Sequence, residues 1–168
     1  LKFIRKLGGN LDTVSIEEAQ IGLKAGFLPE QIMFTPNGVS WEELAEAATL
    51  GVRINIDNLP MLERFGRTYP NIPVCIRINP HIMAGGNIKI SVGHIDSKFG
   101  ISYQQLDDIQ SIVSATGMRI NGIHMHKGSD IADLDAFIRG ADLLLNFAKN
   151  FPDLEFIDLG GGFKVPYK

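Results

Sequence analysis

His124-Met125-His126-Lys127-Gly128-Ser129 and Leu154-Glu155-Phe156-Ile157-Asp158-Leu159-Gly160-Gly161-Gly162-Phe163 are the two stretches on which the reading of this chain turns. In each, a short apolar run gives way at once to small and polar residues. Runs such as 120–124 and 156–159 have the pattern of strands buried on both faces of a parallel sheet. The loops after them then share one end of the sheet and present a flat imidazole, a hydroxyl and bare backbone N–H groups. A glycine run lets the backbone approach an anion closely, and an imidazole can cover one face of a planar ring. The combination suits an aromatic cofactor that carries a phosphate. Each residue also has a plainer role open to it. His126 can be an ordinary hydrogen-bonding residue at a strand end, and Ser129 a turn or helix cap. His124 shares the His126 face if the strand persists and reads as a packed histidine behind it.

Outward from these loops, strand and helix patterns alternate with a short period. Strands are expected at 11–14, 31–34, 53–56, 74–78, 120–124 and 156–159, and helices at 2–7, 16–25, 41–50, 60–67, 103–116 and 134–150. Ser15 with Glu18, and Ser40 with Glu43, have the spacing of capping boxes; Gly26 and Gly51 stand where helices end, and Asp57 or Asn58 opens the helix at 60. This alternation means an α/β fold with a parallel sheet. An open doubly wound sheet and an incomplete (β/α)8 barrel fit it equally well. The irregular stretch 79–100 is too long for an idle connection, so a functional role is expected there. Nothing in the composition suggests a linker, and residues 1–168 are expected to form one domain.

The chain of 168 residues is 45% apolar and 21% charged, with a net charge of −3, an ordinary balance for a folded domain. The negative balance and scattered Lys and Arg argue against a nucleic-acid surface. No apolar run has the length of a membrane span, and a cytoplasmic protein acting on a small molecule is expected. The single cysteine, Cys75, lies in Val74-Cys75-Ile76 and reads as a small buried side chain. No metal is expected, because His, Cys, Asp and Glu nowhere take metal-ligand spacing. Arg77 sits inside an apolar strand, where a buried cation needs a partner. Asp12, at the end of the first strand, is the expected one; the pair could be structural or belong to a site.

The motifs resemble those of the fold-type III pyridoxal-phosphate decarboxylases. The family pattern H-x-H-x-G-S, then an apolar strand, then D-[LI]-G-G-G-[FL], is met at His124 to Ser129 and Asp158 to Phe163. Arg77-Ile78-Asn79-Pro80, the insert Asn87-Ile88-Lys89-Ile90-Ser91-Val92-Gly93 and Asp96-Ser97-Lys98-Phe99-Gly100-Ile101 agree, as does Leu11-Asp12-Thr13-Val14-Ser15. The insert favours the branch that acts on meso-diaminopimelate, with branches for arginine, ornithine or carboxynorspermidine, or a non-catalytic cofactor-binding homologue, as alternatives. The resemblance implies the barrel rather than the open sheet, comprising roughly strands two to seven and lacking the first and last strands and a C-terminal β-domain. It implies pyridoxal phosphate as cofactor, His126 stacked on its ring, and Ser129 with Gly160, Gly161 and Gly162 on its phosphate. Asp12 and Arg77 would join the catalytic set, and Lys98 would reach a homodimer interface near the site. The family's Schiff-base lysine would precede this chain, so the chain alone is expected to be inactive. Two departures stand out: Asp130 replaces the family's usual Gln, and Lys127 stands where an apolar residue is common.

Overall fold

A computed structural model of the chain describes residues 1–82 and 99–165. The helices begin and end where side-chain chemistry provides caps. In α2 (Ile16–Lys24) the Glu18 N–H donates to Ser15 Oγ at 3.3 Å, and Glu18 Oε2 accepts from the Val14 N–H at 2.8 Å, one residue before the usual partner. In α3 (Trp41–Leu50) the box closes fully, through Glu43 N–H to Ser40 Oγ at 3.2 Å and Ser40 N–H to Glu43 Oε2 at 3.0 Å. Gly51 then turns left-handed with φ of 72° and stops the helix. Asn58, not Asp57, caps α4 (Leu59–Thr68), accepting from the Met61 N–H at 2.9 Å. The others are α1 (Lys2–Lys6), α5 (Leu106–Thr116) and α6 (Leu134–Ala148), the last capped by Asp133.

All the strands run parallel: β1 (Leu11–Thr13), β2 (Ile32–Phe34), β3 (Arg53–Ile56), β4 (Val74–Asn79), β5 (Ile101–Ser102), β6 (Ile120–His124) and β7 (Phe156–Asp158). Their order is β1-β2-β3-β4-β6-β7, with β5 paired to the end of β4 through Ile78 and Asn79. Among the described residues β1 and β7 are not paired, so the sheet is an arc. Period-two alternation divides its faces. Ile54, Ile56, Ile76, Ile78, Ile123 and Met125 are all buried in the apolar core that the helices cover. The opposite face carries Asn55, Cys75, Arg77, His124 and Asp158, and it lines cavities. A sheet covered by helices on one face and hollow on the other is the geometry of a barrel wall.

Register carries these inner residues into rows. Cys75 pairs with Gly122 and Gly122 with Phe156. Gly122 leaves the room that the Phe156 ring takes, since a Cβ would sit 2.2 Å from Phe156 Cζ and the ring would have to shift. One step toward the C-terminal ends, Arg77 pairs with His124 and His124 with Asp158.

Candidate active site

Because every strand points the same way, the loops after them converge on one rim. Asp12, Arg77, His124, His126, Gly160 and Gly161 line a common cavity of about 390 Å³, together with Val14, Thr35, Asn37 and Asp158. A second cavity, about 350 Å³, lies toward the opposite strand ends around Asn10, Gln31, Arg53 and Phe156. In parallel α/β barrels the C-terminal rim is the place where loops can vary without disturbing the sheet, and the first cavity is the one on that rim.

The glycine loop is built by contact with its neighbour. Gly160 has φ of +71°, and a Cβ there would lie 2.5 Å from the Met125 carbonyl oxygen. Gly162 has φ of +95°, and its Cβ would lie 2.0 Å from the Gly128 oxygen. No L side chain fits at either place. Gly161 differs, with no atom within 4 Å of a Cβ. Asp158 fixes the entry, its Oδ1 accepting from the Gly160 N–H at 2.7 Å, and the Gly162 carbonyl accepts from the Ile131 N–H at 2.9 Å. Among the described residues no acceptor meets the Gly161 or Gly162 N–H. Two amide donors without an acceptor, on a loop stripped of side chains, form a cradle of the polarity a phosphate needs, so the residues present fit a phosphorylated ring. Ser129 is exposed on the loop that packs against Gly162.

His126 is half-buried, and burial, with the Arg77 charge, lowers its pKa against the opposing pull of Asp12 and Asp158. It is therefore held toward the neutral form. His124 is 6% exposed, and its pKa is lowered to about 4, first by burial and then by Arg77 and His126, against the Asp158 charge. Asp12 is open to the hollow of the arc and lines its cavity. Desolvation raises its pKa and Asp158 adds to that, while a hydrogen bond with Thr35 opposes them.

The expected Asp12–Arg77 ion pair is not formed. Arg77 is 5% exposed and donates from Nη1 to Asn37 Oδ1 at 2.6 Å, with its guanidinium carbon 5.2 Å from the centre of the Phe99 ring. The reason is the sheet order. β2 and β3 lie between β1 and β4, so Asp12 reaches Arg77 only through the cavity, as a charge across a gap. Lys98 lies outside the described residues, as do His94, Asp96 and the insert 87–93. Cys75 is buried and its thiol is pushed well up by desolvation, which disfavours the thiolate. Among the described residues no group of His, Cys, Asp and Glu could hold a metal ion, and no helix is long and apolar enough to cross a membrane.

Sequence reading passed over Asn37, Asn55 and Asp158 as site residues. Asn55 had a signal, being an amide inside a strand whose neighbours are Ile54 and Ile56, where a polar group needs a partner. Asp158 had one too, as a carboxylate two residues before a glycine whose N–H it can accept.

Comparison with known proteins agrees with this geometry. The family model described as pyridoxal-dependent decarboxylase, pyridoxal binding domain, matches residues 1–168. Diaminopimelate decarboxylase of Methanothermobacter thermautotrophicus is 33% identical over 173 residues, covering 99% of this chain and 40% of its own length. The crystal structure of diaminopimelate decarboxylase from Helicobacter pylori complexed with L-lysine aligns with a TM-score of 0.89 at 30% identity, over 99% of this chain and 45% of that one. The arginine decarboxylase of Paramecium bursaria Chlorella virus bound to agmatine shares the fold, with a TM-score of 0.81 at 21% identity over 99% of this chain and 45% of that one. The chain thus spans less than half the length of these relatives. The arc is a part of an α/β barrel and not an open doubly wound sheet.

Proposed function

This chain belongs to the pyridoxal-dependent decarboxylases, and from that premise we propose that it is the cofactor-binding barrel portion of an enzyme converting meso-diaminopimelate to L-lysine and CO₂. The observation that carries the reading is the cradle at Gly161 and Gly162, on the same rim as His126, Asp12 and Arg77. Pyridoxal phosphate, when bound, accepts the electron pair released as the carbon–carboxylate bond breaks.

The protein's part is to hold and orient. The Gly161 and Gly162 N–H groups and the Ser129 hydroxyl would hold the phosphate. His126, kept neutral, would lie against one face of the ring and shield it from water. Arg77, locked by Asn37 and Phe99, sets a fixed positive charge in the cavity that can meet a carboxylate or another anionic oxygen. Asp12, whose carboxyl holds a proton more tightly than usual, lines the same cavity. The working form is a homodimer in the cytoplasm. No lysine of this chain is assigned the covalent link to the cofactor, and residues 1–168 alone should release no CO₂.

Substrate choice is tested on the full-length protein supplied with pyridoxal phosphate. CO₂ release should be at least about a hundredfold more efficient, by kcat/KM, with meso-diaminopimelate than with L-arginine or L-ornithine, a difference of roughly 2.7 kcal/mol in transition-state binding. Preference for arginine or ornithine would transfer the assignment to that branch, and turnover of none of them, nor of carboxynorspermidine, would remove the decarboxylase reading.

A further inference from the structure

In the row Arg77–His124–Asp158 a cation stands on one side and an anion on the other, and the middle member is almost sealed from solvent. Its Nδ1 lies 2.8 Å from Nδ2 of Asn55. Asn55 is 2% exposed, and its Oδ1 is buried with no partner. A half-met amide inside a strand destabilises the fold by itself. Its effect on the neighbouring ring is specific. An amide N–H that donates to Nδ1 requires a lone pair there, which places the ring proton on Nε2. Nε2 has no protein partner among the described residues and is not among the sealed unpartnered atoms, while the ring lines the cavity. Nε2 therefore opens on the cavity.

Resting on the function proposed above, we propose that Asn55 is a positioning residue that holds His124 as an uncharged N–H donor toward the phenolate oxygen of the pyridoxal ring. With the phosphate assigned to the glycine loop, the ring oxygen is the anionic group of the cofactor left for a donor at the end of β6, two residues before His126. An uncharged donor suits this position. A second cation beside Arg77 would repel it, and a carboxylate would repel the phenolate. The charged and titratable groups facing the ring are Arg77, Asp158 and His126; burial first, then Arg77 and His126, keep it neutral against the pull of Asp158.

The test uses the full-length protein. In nitrogen-15 spectra of the histidine-labelled protein, His124 should carry its proton on Nε2 from about pH 8 down to about pH 5. The substitution Asn55→Leu should let the proton distribute over both nitrogens and bring the titration upward. Affinity for pyridoxal phosphate, read by absorbance, should fall about ten- to a hundredfold in His124→Phe and stay within about threefold in His124→Gln, which keeps a donor. Affinity for an analogue lacking the ring hydroxyl should be the same in wild type and His124→Phe. A proton found on Nδ1, or a His124→Phe loss equal for cofactor and analogue, overturns the proposal. Failure of the wild type to bind either compound overturns the function proposed above and the donor's use with it, while the spectra decide the Asn55–His124 pair separately.

Discussion

Replacing Gly162 with alanine should destabilise the full-length protein by about 2–3 kcal/mol and abolish measurable pyridoxal phosphate binding, whereas alanine at Gly161 should spare stability and weaken binding alone. The difference rests on what a new methyl group meets. At Gly162 it falls 2.0 Å from the Gly128 oxygen and 3.3 Å from the Ser129 Cα, on a backbone with φ of +95°. These are backbone atoms, so relief requires the two loops to part, and the cradle opens as they do. At Gly161 nothing lies within 4 Å, and the fold has no reason to respond. The methyl would instead project into the space assigned to the phosphate, with an expected loss of about tenfold in affinity, equivalent to roughly 1.4 kcal/mol. Thermal unfolding and cofactor absorbance on the same samples separate the two effects. Unchanged affinity in Gly161→Ala would place the phosphate elsewhere.

Lys127→Met should raise stability by about 2 kcal/mol near pH 7 and by much less near pH 10. Lys127 points to the helix side of β6. It is 1% exposed, its Nζ donates to the Ala136 carbonyl at 2.5 Å, and Gly140 leaves the room it occupies. The Ala136 carbonyl lies in the first turn of α6, where it also has a helical partner, so methionine leaves no orphan acceptor. Burial, with Arg139 nearby, lowers the ammonium pKa to about 8 against the pull of Asp133. The sign follows from comparing states. Above the ordinary lysine range both folded and unfolded chains are neutral here and the group has no effect. As pH falls toward about 8 the unfolded chain takes up a proton that the folded chain resists, and stability declines. Below that value both are charged, and the full penalty is present. Thermal melts should show a gain of roughly 4–8 °C for the variant at neutral pH, shrinking as pH rises. A loss of stability, or a gain independent of pH, would mean that the ammonium is better satisfied than its single hydrogen bond indicates.

The alternation of apolar runs with capped helices was enough to place the strands from β1 to β4, β6 and β7 within a residue or so, because each is bounded by chemistry that acts locally. Ser15, Ser40 and Gly51 act on their own helix ends. β5 was not legible. Ile101–Ser102 is too short to show a period, and it is a strand only because β4 runs long enough to pair with it. The site divides the same way. Gly160, Gly161, Gly162 and His126 could be read because their chemistry is written in residue type. The partner of Arg77 could not, since which residue meets a buried guanidinium depends on strand order and curvature, and Asn37 enters from the loop after β2. Asn55 and His124 are 69 residues apart, and only the register of β3, β4 and β6 brings them into contact.

The most direct measurement is a crystal structure of the full-length protein with pyridoxal phosphate. The phosphate oxygens should lie within hydrogen-bond distance, about 2.7–3.2 Å, of the Gly161 and Gly162 N–H groups, with the His126 imidazole against the ring face. A phosphate bound away from the glycine loop, or a ring whose faces His126 does not touch, would contradict the site.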